Sequence, residues 1–218
     1  MTTSLQSVED VMSRLAKIRP IYHSEADFQH AFAWELHKRK PNGNISLERP
    51  FKTDSANLHL DLLFQSDGAS LVVELKYKTL RLEHGANEHG YRLLNQGAQD
   101  IGRYDFIKDI WRLEVITRSI PQSTGWAILL TNDSTYWNPA KRQDTADSSF
   151  RLSDGTTLQG SLSWGPKTSA GTMKNREKSL VICKAYKLRW CDYSTIAPGK
   201  NGRFRYLAVR VGSDSPNC

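Results

Sequence analysis

Two acidic side chains and a lysine lie on neighbouring strands of a predicted β-hairpin. Residues 58–78 hold two apolar-rich runs that flank Asp67-Gly68, and Asp-Gly between alternating runs favours a two-residue type I′ turn. With that turn, Asp61 is predicted to lie directly opposite Glu74, with their Cβ atoms about 5 Å apart. Lys76 comes two residues after Glu74, so both side chains point to the same face.

Opposed carboxylates need something to neutralise them. Like charges that face each other across two strands are unfavourable unless a proton or a cation lies between them. The pair therefore predicts either a metal site or another element that supplies the compensating charge. The alternative interpretation is a solvated strand face held together by salt bridges.

The other face of the hairpin is predicted to be core, because all of its side chains are apolar. These side chains are Leu58, Leu60, Leu62, Phe64, Leu71, Val73, Leu75 and Tyr77.

The hairpin lies in the middle of a longer order of predicted elements. Apolar spacing and the capping residues Ser7 and Ser24 predict two helices before it. The order is helices over residues 8–18 and 25–40, a strand over 45–51, the two hairpin strands, a long helix over 91–116 and a buried strand over 126–131. Three consecutive strands followed by a crossover helix predict a mixed sheet with helices on its faces, an α/β or α+β fold.

The rest of the chain is predicted to be a β-rich, basic extension, residues 134–218, that packs on a core of residues 1–133. Its short strands are predicted over residues 150–152, 157–163, 180–183, 185–193 and 204–211, and residues 161–178 are predicted to be a loop. From residue 166 onward there are eleven basic and three acidic residues, a net charge of +8. Such an excess indicates a surface for polyanions, with Arg203 and Arg205 as phosphate contacts; a surface that only confers solubility is the alternative.

Asp61 followed by Glu74-Leu75-Lys76 resembles the motif of the PD-(D/E)XK nuclease superfamily, in which the Asp lies on the second core strand and (D/E)-x-K on the third. The resemblance covers about residues 24–131 and includes the αβββαβ order. The chain departs from the family name by having Leu60 before Asp61. The resemblance implies a restriction-endonuclease-like fold with a mixed central sheet. It also implies nuclease activity, with DNA as the expected target, in restriction, defence, repair or mobile-element biology.

Two further site residues follow from the resemblance alone. The family tends to place a Glu on the helix before the sheet, and Glu25 is the candidate, with Glu35 as the competitor. Many members carry a Gln on the helix after the third strand. Gln99 is preferred over Gln96 for that role, although neither stands at the Q-x-x-x-Y spacing from Tyr104 that RecB-like members show.

The resemblance also implies the chemistry. The expected cofactor is Mg²⁺ or Mn²⁺, bound by Asp61, Glu74, Glu25 and the backbone carbonyl of Leu75. Lys76 would orient or deprotonate the attacking water, or stabilise charge on the phosphate. The alternative is a nucleic-acid-binding or assembly module that has kept the nuclease fold without the activity.

Composition and motifs limit the classes of protein to which the chain can belong. No apolar run is long enough to span a membrane, and no signal-peptide pattern opens the chain. Cys183, Cys191 and Cys218 are too few and too irregularly spaced for a disulfide scaffold or a metal site, which favours a reducing, cytoplasmic location. No Gly-rich phosphate loop is present, so an NTP-driven motor is not expected. The expected partners are nucleic acid and a second copy or a larger assembly, without a membrane.

Overall fold

A computed structural model describes residues 8–52, 57–85, 90–199 and 201–212. The helices in these residues are α1 (Val8–Ile18), α2 (Glu25–Arg39), α3 (Gln99–Ser119) and α4 (Ala170–Met173). The strands are β1 (Asn44–Lys52), β2 (Asn57–Ser66), β3 (Ala69–Lys78), β4 (Leu82–His84), β5 (Tyr91–Leu93), β6 (Ser123–Thr131), β7 (Thr157–Leu162), β8 (Leu180–Lys187), β9 (Trp190–Thr195) and β10 (Arg203–Gly212). None of the described helices is both long and apolar enough to cross a membrane.

A mixed sheet of six strands organises the fold, in the order β1-β2-β3-β6-β10-β9. β3 and β6 run parallel, and the other neighbours in this sheet are antiparallel. The helix α3 makes the crossover between β3 and β6, as the element order predicts. β6 is buried from Gly125 to Thr131, which confirms the predicted buried strand. The α/β fold with a mixed sheet is therefore confirmed.

The central hairpin has the predicted turn and register. Asp67 and Gly68 have φ angles of 53° and 77°, the positive values that a type I′ turn requires at both central positions. β2 pairs with β3 from Ser66–Ala69 to Leu62–Val73. The paired stretch stops one residue short of Asp61 and Glu74, so the two strands separate where the acidic residues begin.

Apolar side chains cover both faces of the sheet. The helices α1 and α2 pack on one face, against residues that include Leu62, Val73 and Leu75. The helix α3 and the β7–β8 pair cover the other face, against residues that include Leu63 and Val72. The sheet is therefore a buried central layer, and polar groups on its strands are shielded from water unless they lie at an edge or a strand end.

The prediction that Leu58 and Leu60 share a face with Leu62 is wrong. Both pack with α3, whereas Leu62 lies on the α2 side. The alternation reverses at Asp61, where β2 leaves β3. Opposite Asp61, the pairing of β1 with β2 is interrupted: residues 47 and 49 pair with β2, but Glu48 does not. The φ angle of Glu48 is 49°, in the left-handed region. Because of this kink, the side chains at the start of β2 point to the opposite face of the sheet.

The long helix begins later than predicted. Tyr91–Leu93, predicted to be helical, forms β5 and pairs with β4. The hydroxyl of Thr79 donates to the carbonyl of Leu94, and the N–H of Gln96 donates to the carbonyl of Thr79, both at 2.8 Å. These bonds hold the chain extended until Ala98, whose φ of 59° precedes the first helical turn.

Two predicted strands in the last third are also corrected. Ser148–Phe150 is a 3₁₀ turn in place of a strand over residues 150–152. The predicted break near residue 184 lies instead at Leu188, which is fully buried and donates its N–H to the carbonyl of Thr156. β9 and β10 then join the central sheet, so the segment from residue 134 onward completes the sheet of the core.

Glu114 fastens β8 to α3. β8 pairs with β7 at Ile182 and Tyr186 but not between them, which leaves backbone N–H groups without a strand partner. The carboxylate of Glu114, only 1% exposed, accepts hydrogen bonds from the N–H groups of Cys183 (3.1 Å) and Lys184 (3.2 Å) and from the hydroxyl of Tyr186 (2.8 Å).

Replacing Glu114 by alanine is expected to lower the free energy of unfolding by about 3 kcal/mol, because three donors, of which the hydroxyl of Tyr186 is buried, lose their acceptor. Urea unfolding followed by circular dichroism measures the change. Glu9→Ala is the matched control, because Glu9 is an exposed helical glutamate and its loss should cost well under about 1 kcal/mol. Equal effects of the two substitutions would contradict this role of Glu114.

Candidate functional site

Two carboxylates line the edge of β3 that β2 leaves free. The N–H of Leu75 donates to Oδ2 of Asp61 at 2.7 Å, and the N–H of Tyr77 donates to Oε2 of Glu25 at 2.8 Å. Residues two apart on a strand point their N–H groups to the same edge. Asp61 and Glu25 therefore take the positions that backbone carbonyls of a paired strand would otherwise occupy.

The start of α2 places Glu25 at this edge. Ser24 caps the helix as predicted, since its hydroxyl oxygen accepts an N–H of the first turn at 3.1 Å, and Glu25 is the next residue. One turn later, Nε2 of Gln29 donates to the carbonyl of Asp61 at 2.6 Å and to Oε1 of Glu48 at 3.0 Å. Gln29 thus ties the helix to the kink in β1 and β2.

Glu74 and Lys76 face α3, where they meet two residues that the sequence analysis missed. Nζ of Lys76 lies 3.0 Å from Oδ2 of Asp109, and Nη2 of Arg112 lies 3.4 Å from Oε1 of Glu74. Asp109 and Arg112, three residues apart on the helix, form an ion pair at 3.2 Å. Each of these two residues of α3 thus lies next to the residue of opposite charge on β3: Asp109 next to Lys76, and Arg112 next to Glu74.

A sequence signal for Asp109 and Arg112 exists. They are charged residues at a spacing of three within a stretch of α3 whose other members include Phe106, Ile110 and Leu113, all buried. A charged pair at that spacing shares one helix face. In a helix that crosses over a buried sheet, such a pair predicts contact with opposite charges on the strands below.

Glu74 is the least satisfied group of the site. Its side chain has 0% exposure, and neither of its carboxylate oxygens has a hydrogen-bond donor among the described residues. The 3.4 Å approach of Arg112 is longer than the roughly 2.7–2.9 Å of a charge-assisted hydrogen bond. Arg112 instead uses the same nitrogen to donate to the backbone carbonyl of His59.

Burial raises the pKa of three carboxyl groups in the site, and neighbouring negative charges add to this effect. Burial raises the pKa of Asp61, against the influence of Lys76 and the N–H of Leu75. Burial, with the neighbouring charges of Asp109 and Asp61, raises the pKa of Glu74 well above its ordinary value. Burial also raises the pKa of Asp109.

Lys76 is held in its protonated form. Burial acts to lower the pKa of Lys76, but the carboxylates of Asp109, Asp61 and Glu25 outweigh it, so the pKa lies above its ordinary value. Five carboxylates (the three above, Glu74 and Glu48) surround two cations, Lys76 and Arg112, which gives a formal net charge of −3 when all are ionised.

Gln99 and Glu35, two candidates for the site from the sequence, lie elsewhere in the structure. Nε2 of Gln99 donates to Oδ2 of Asp133 at 2.9 Å, and Gln99 precedes Asp109 by ten residues, about 15 Å along the helix axis. Glu35, the competitor of Glu25, pairs with Arg39 at 3.1 Å. The structure thus brings Glu25, Asp61, Glu74 and Lys76 together around one strand and does not bring Gln99 or Glu35 to them.

The donor set suits a divalent cation in chemistry and charge. Carboxylate oxygens are the ligands that Mg²⁺ and Mn²⁺ prefer, and Glu74 has two oxygens without a donor. Within the described residues, however, no three His, Cys, Asp or Glu side chains are grouped so that they could hold a metal ion.

The basic residues after residue 166 are partly neutralised. Arg203 pairs with Asp192 at 2.6 Å, and Arg205 pairs with Asp154 and Asp192 at 3.1 and 3.2 Å. These pairs make Arg203 and Arg205 weaker candidates for phosphate contacts than the sequence suggests. Several exposed basic residues have no ion pair with any described residue and are better placed for a polyanion: Lys167, Lys174, Lys178, Lys187, Arg189 and Arg210.

Comparisons with known proteins identify no family for this chain. Neither a protein-family profile, nor a curated protein, nor a solved structure matches it. A function can therefore be proposed only from the element order and the geometry of the site.

Proposed function

We propose that this protein is a metal-dependent nuclease with a restriction-endonuclease-like core, which hydrolyses phosphodiester bonds, DNA first among them, in restriction, defence, repair or mobile-element biology. The observation that carries the proposal is the separation of β2 from β3. It gathers Glu25, Asp61, Glu74 and Lys76 around one strand within the αβββαβ order. These are the residues for which the resemblance to the PD-(D/E)XK superfamily implies a catalytic site, and their proximity supports the proposal.

Each residue has a defined part in this proposal. Asp61 and Glu74 would hold the cation, and Glu25 and the carbonyl of Leu75 would complete its shell. Bound Mg²⁺ or Mn²⁺ supplies Lewis acidity and lowers the pKa of a water molecule. Lys76 stays protonated between Asp61 and Asp109, which favours charge stabilisation at the phosphate over proton removal from water.

The second candidate is a nucleic-acid-binding or assembly module without catalysis. The ion pairs on the α3 side favour it, because Lys76 is paired with Asp109 and Glu74 lies near Arg112. A site whose charges are already paired has less need of a cation. The two candidates differ in whether Mg²⁺ or Mn²⁺ elicits cleavage.

A cleavage assay decides between them. Purified protein is incubated with single- and double-stranded DNA and RNA in Mg²⁺, Mn²⁺ or EDTA, next to Asp61→Ala. The nuclease proposal predicts metal-dependent cleavage of at least one substrate and its loss in the variant. Cleavage that Asp61→Ala leaves intact would refute the site assignment, and binding of nucleic acid without cleavage in any condition would support the module instead.

Glu25→Gln is expected to reduce cleavage about ten- to a hundredfold, the usual cost of losing a residue that supports a metal centre. The amide oxygen can still accept the N–H of Tyr77, so the fold should hold. Glu35→Gln is the matched control on the same helix and should cleave like wild type, since Glu35 pairs with Arg39. Steady-state cleavage rates measure both. A larger loss in Glu35→Gln than in Glu25→Gln would reverse the assignment.

A further inference from the structure

We infer that Arg112 is an internal counter-ion that takes the place of the divalent cation beside Glu74 and must withdraw before the cation can bind. The inference rests on the proposed function and adds a form of regulation to the same site. It follows from the position of the guanidinium, from the unsatisfied state of Glu74 and from the charge of the surroundings.

The guanidinium of Arg112 lies among three anionic or dipolar groups. Nη2 is 3.4 Å from Oε1 of Glu74 and donates to the carbonyl of His59, while Nη1 is 3.2 Å from Oδ1 of Asp109. A carboxylate and a backbone carbonyl are the kinds of oxygen that a hard cation would use. Arg112 thus uses oxygen donors that suit a metal ion.

The hold of Arg112 on Glu74 is loose. Its approach is too long for a strong charge-assisted hydrogen bond, and both oxygens of Glu74 remain without a donor among the described residues. Asp109 holds Arg112 from the same helix, so the guanidinium can leave Glu74 without losing that partner. The side chain of Arg112 is 17% exposed, which places part of it at the surface, on a path toward solvent.

Arginine is suited to this exclusion. The guanidinium of Arg112 lies 3.4 Å from Oε1 of Glu74, so its positive charge leaves the carboxylate when the side chain moves away. A divalent cation that approached Glu74 with Arg112 in place would meet a like charge at short range, which costs several kcal/mol. Cation binding and withdrawal of Arg112 are therefore one coupled event.

The test compares the binding of Mn²⁺ by wild type and Arg112→Met in isothermal titration calorimetry. Loss of the competing charge is expected to tighten Mn²⁺ binding about tenfold or more. Arg118→Met is the matched control, because Arg118 lies on the same helix 3.9 Å from Glu114, and its Mn²⁺ affinity should equal that of wild type. In EDTA, Arg112→Met should melt at a lower temperature than wild type, and Mn²⁺ should raise its Tm by more.

The outcomes separate the inference from the proposed function. Equal Mn²⁺ affinities of wild type and Arg112→Met would overturn the inference and leave the nuclease proposal standing. Absence of Mn²⁺ binding in both proteins would overturn both. Arg112→Gln provides a second neutral variant that keeps a donor for the carbonyl of His59. If Arg112→Met does not fold, the same tightening is expected in Arg112→Gln, and its absence there overturns the inference.

Discussion

Replacing Lys76 by methionine is expected to reduce cleavage about 10²–10⁴-fold, the range for losing one catalytic charge or proton donor. The same change should lower the free energy of unfolding by about 3–5 kcal/mol. The reason for the second effect is Asp109, whose side chain is 5% exposed and would keep Arg112 but lose Lys76 as a cationic partner. Cleavage rates and urea unfolding measure the two effects separately.

The double variant Lys76→Met/Asp109→Leu separates stability from chemistry. Removing both charges leaves no buried carboxylate at position 109 that lacks Lys76. Arg112 keeps Glu74 and the carbonyl of His59 as neighbours, so most of the lost stability should return. Cleavage should stay as low as in Lys76→Met, because the positive charge next to the phosphate is still missing. A double variant that regained cleavage together with stability would show that Lys76 has only a structural role.

Replacing Glu74 by glutamine is expected to have opposite effects on activity and stability. Cleavage should fall about 10³-fold, because the loss of a metal ligand removes several kcal/mol of transition-state stabilisation. The metal-free protein should be at least as stable as wild type, since a buried carboxylate with two oxygens lacking donors is replaced by a neutral group of the same shape. Cleavage rates, and Tm values in EDTA, measure the two effects.

The stability effect of Glu74→Gln should depend on pH in a defined direction. The pKa of Glu74 is raised on folding, so its contribution to stability is fully present below about 4.3, the unfolded value. The contribution is lost as the pH rises through the folded value. The Tm of wild type in EDTA should therefore fall relative to that of the variant between pH 5 and pH 8. A constant difference would contradict the burial of an ionisable Glu74.

Local patterns were sufficient to predict the hairpin and its surroundings. Asp67-Gly68 fixes the turn and hence the register from Ser66–Ala69 to Leu62–Val73, because a two-residue turn leaves a single pairing. Ser24 fixes the start of α2 and therefore the position of Glu25. These features depend on residues close together in the chain.

Other features depend on contacts between distant segments, which no local pattern contains. The face reversal of Leu58 and Leu60 follows from Glu48 and from Asp61, whose carboxylate replaces a strand partner. The family resemblance suggested Gln99, but that side chain bonds to Asp133, thirty-four residues away. The spacing of Asp109 and Arg112 predicts that they share a helix face. Their partners Lys76 and Glu74, however, are set only by the crossing of α3 over β3.

The origin of the charge that neutralises the opposed carboxylates could not be read from the hairpin alone. The sequence allowed a metal ion or another element to supply it. The structure shows that another element does so in part, since Arg112 of α3 lies beside Glu74. The remaining excess of negative charge is why a divalent cation is still expected.

A crystal soaked in Mn²⁺ and measured at the manganese absorption edge tests the central claim most directly. The account predicts an anomalous peak within about 2–2.6 Å of a carboxylate oxygen of both Asp61 and Glu74, with the guanidinium of Arg112 withdrawn from Glu74. Well-ordered carboxylates of Asp61 and Glu74 with no peak between them at saturating Mn²⁺ would contradict it.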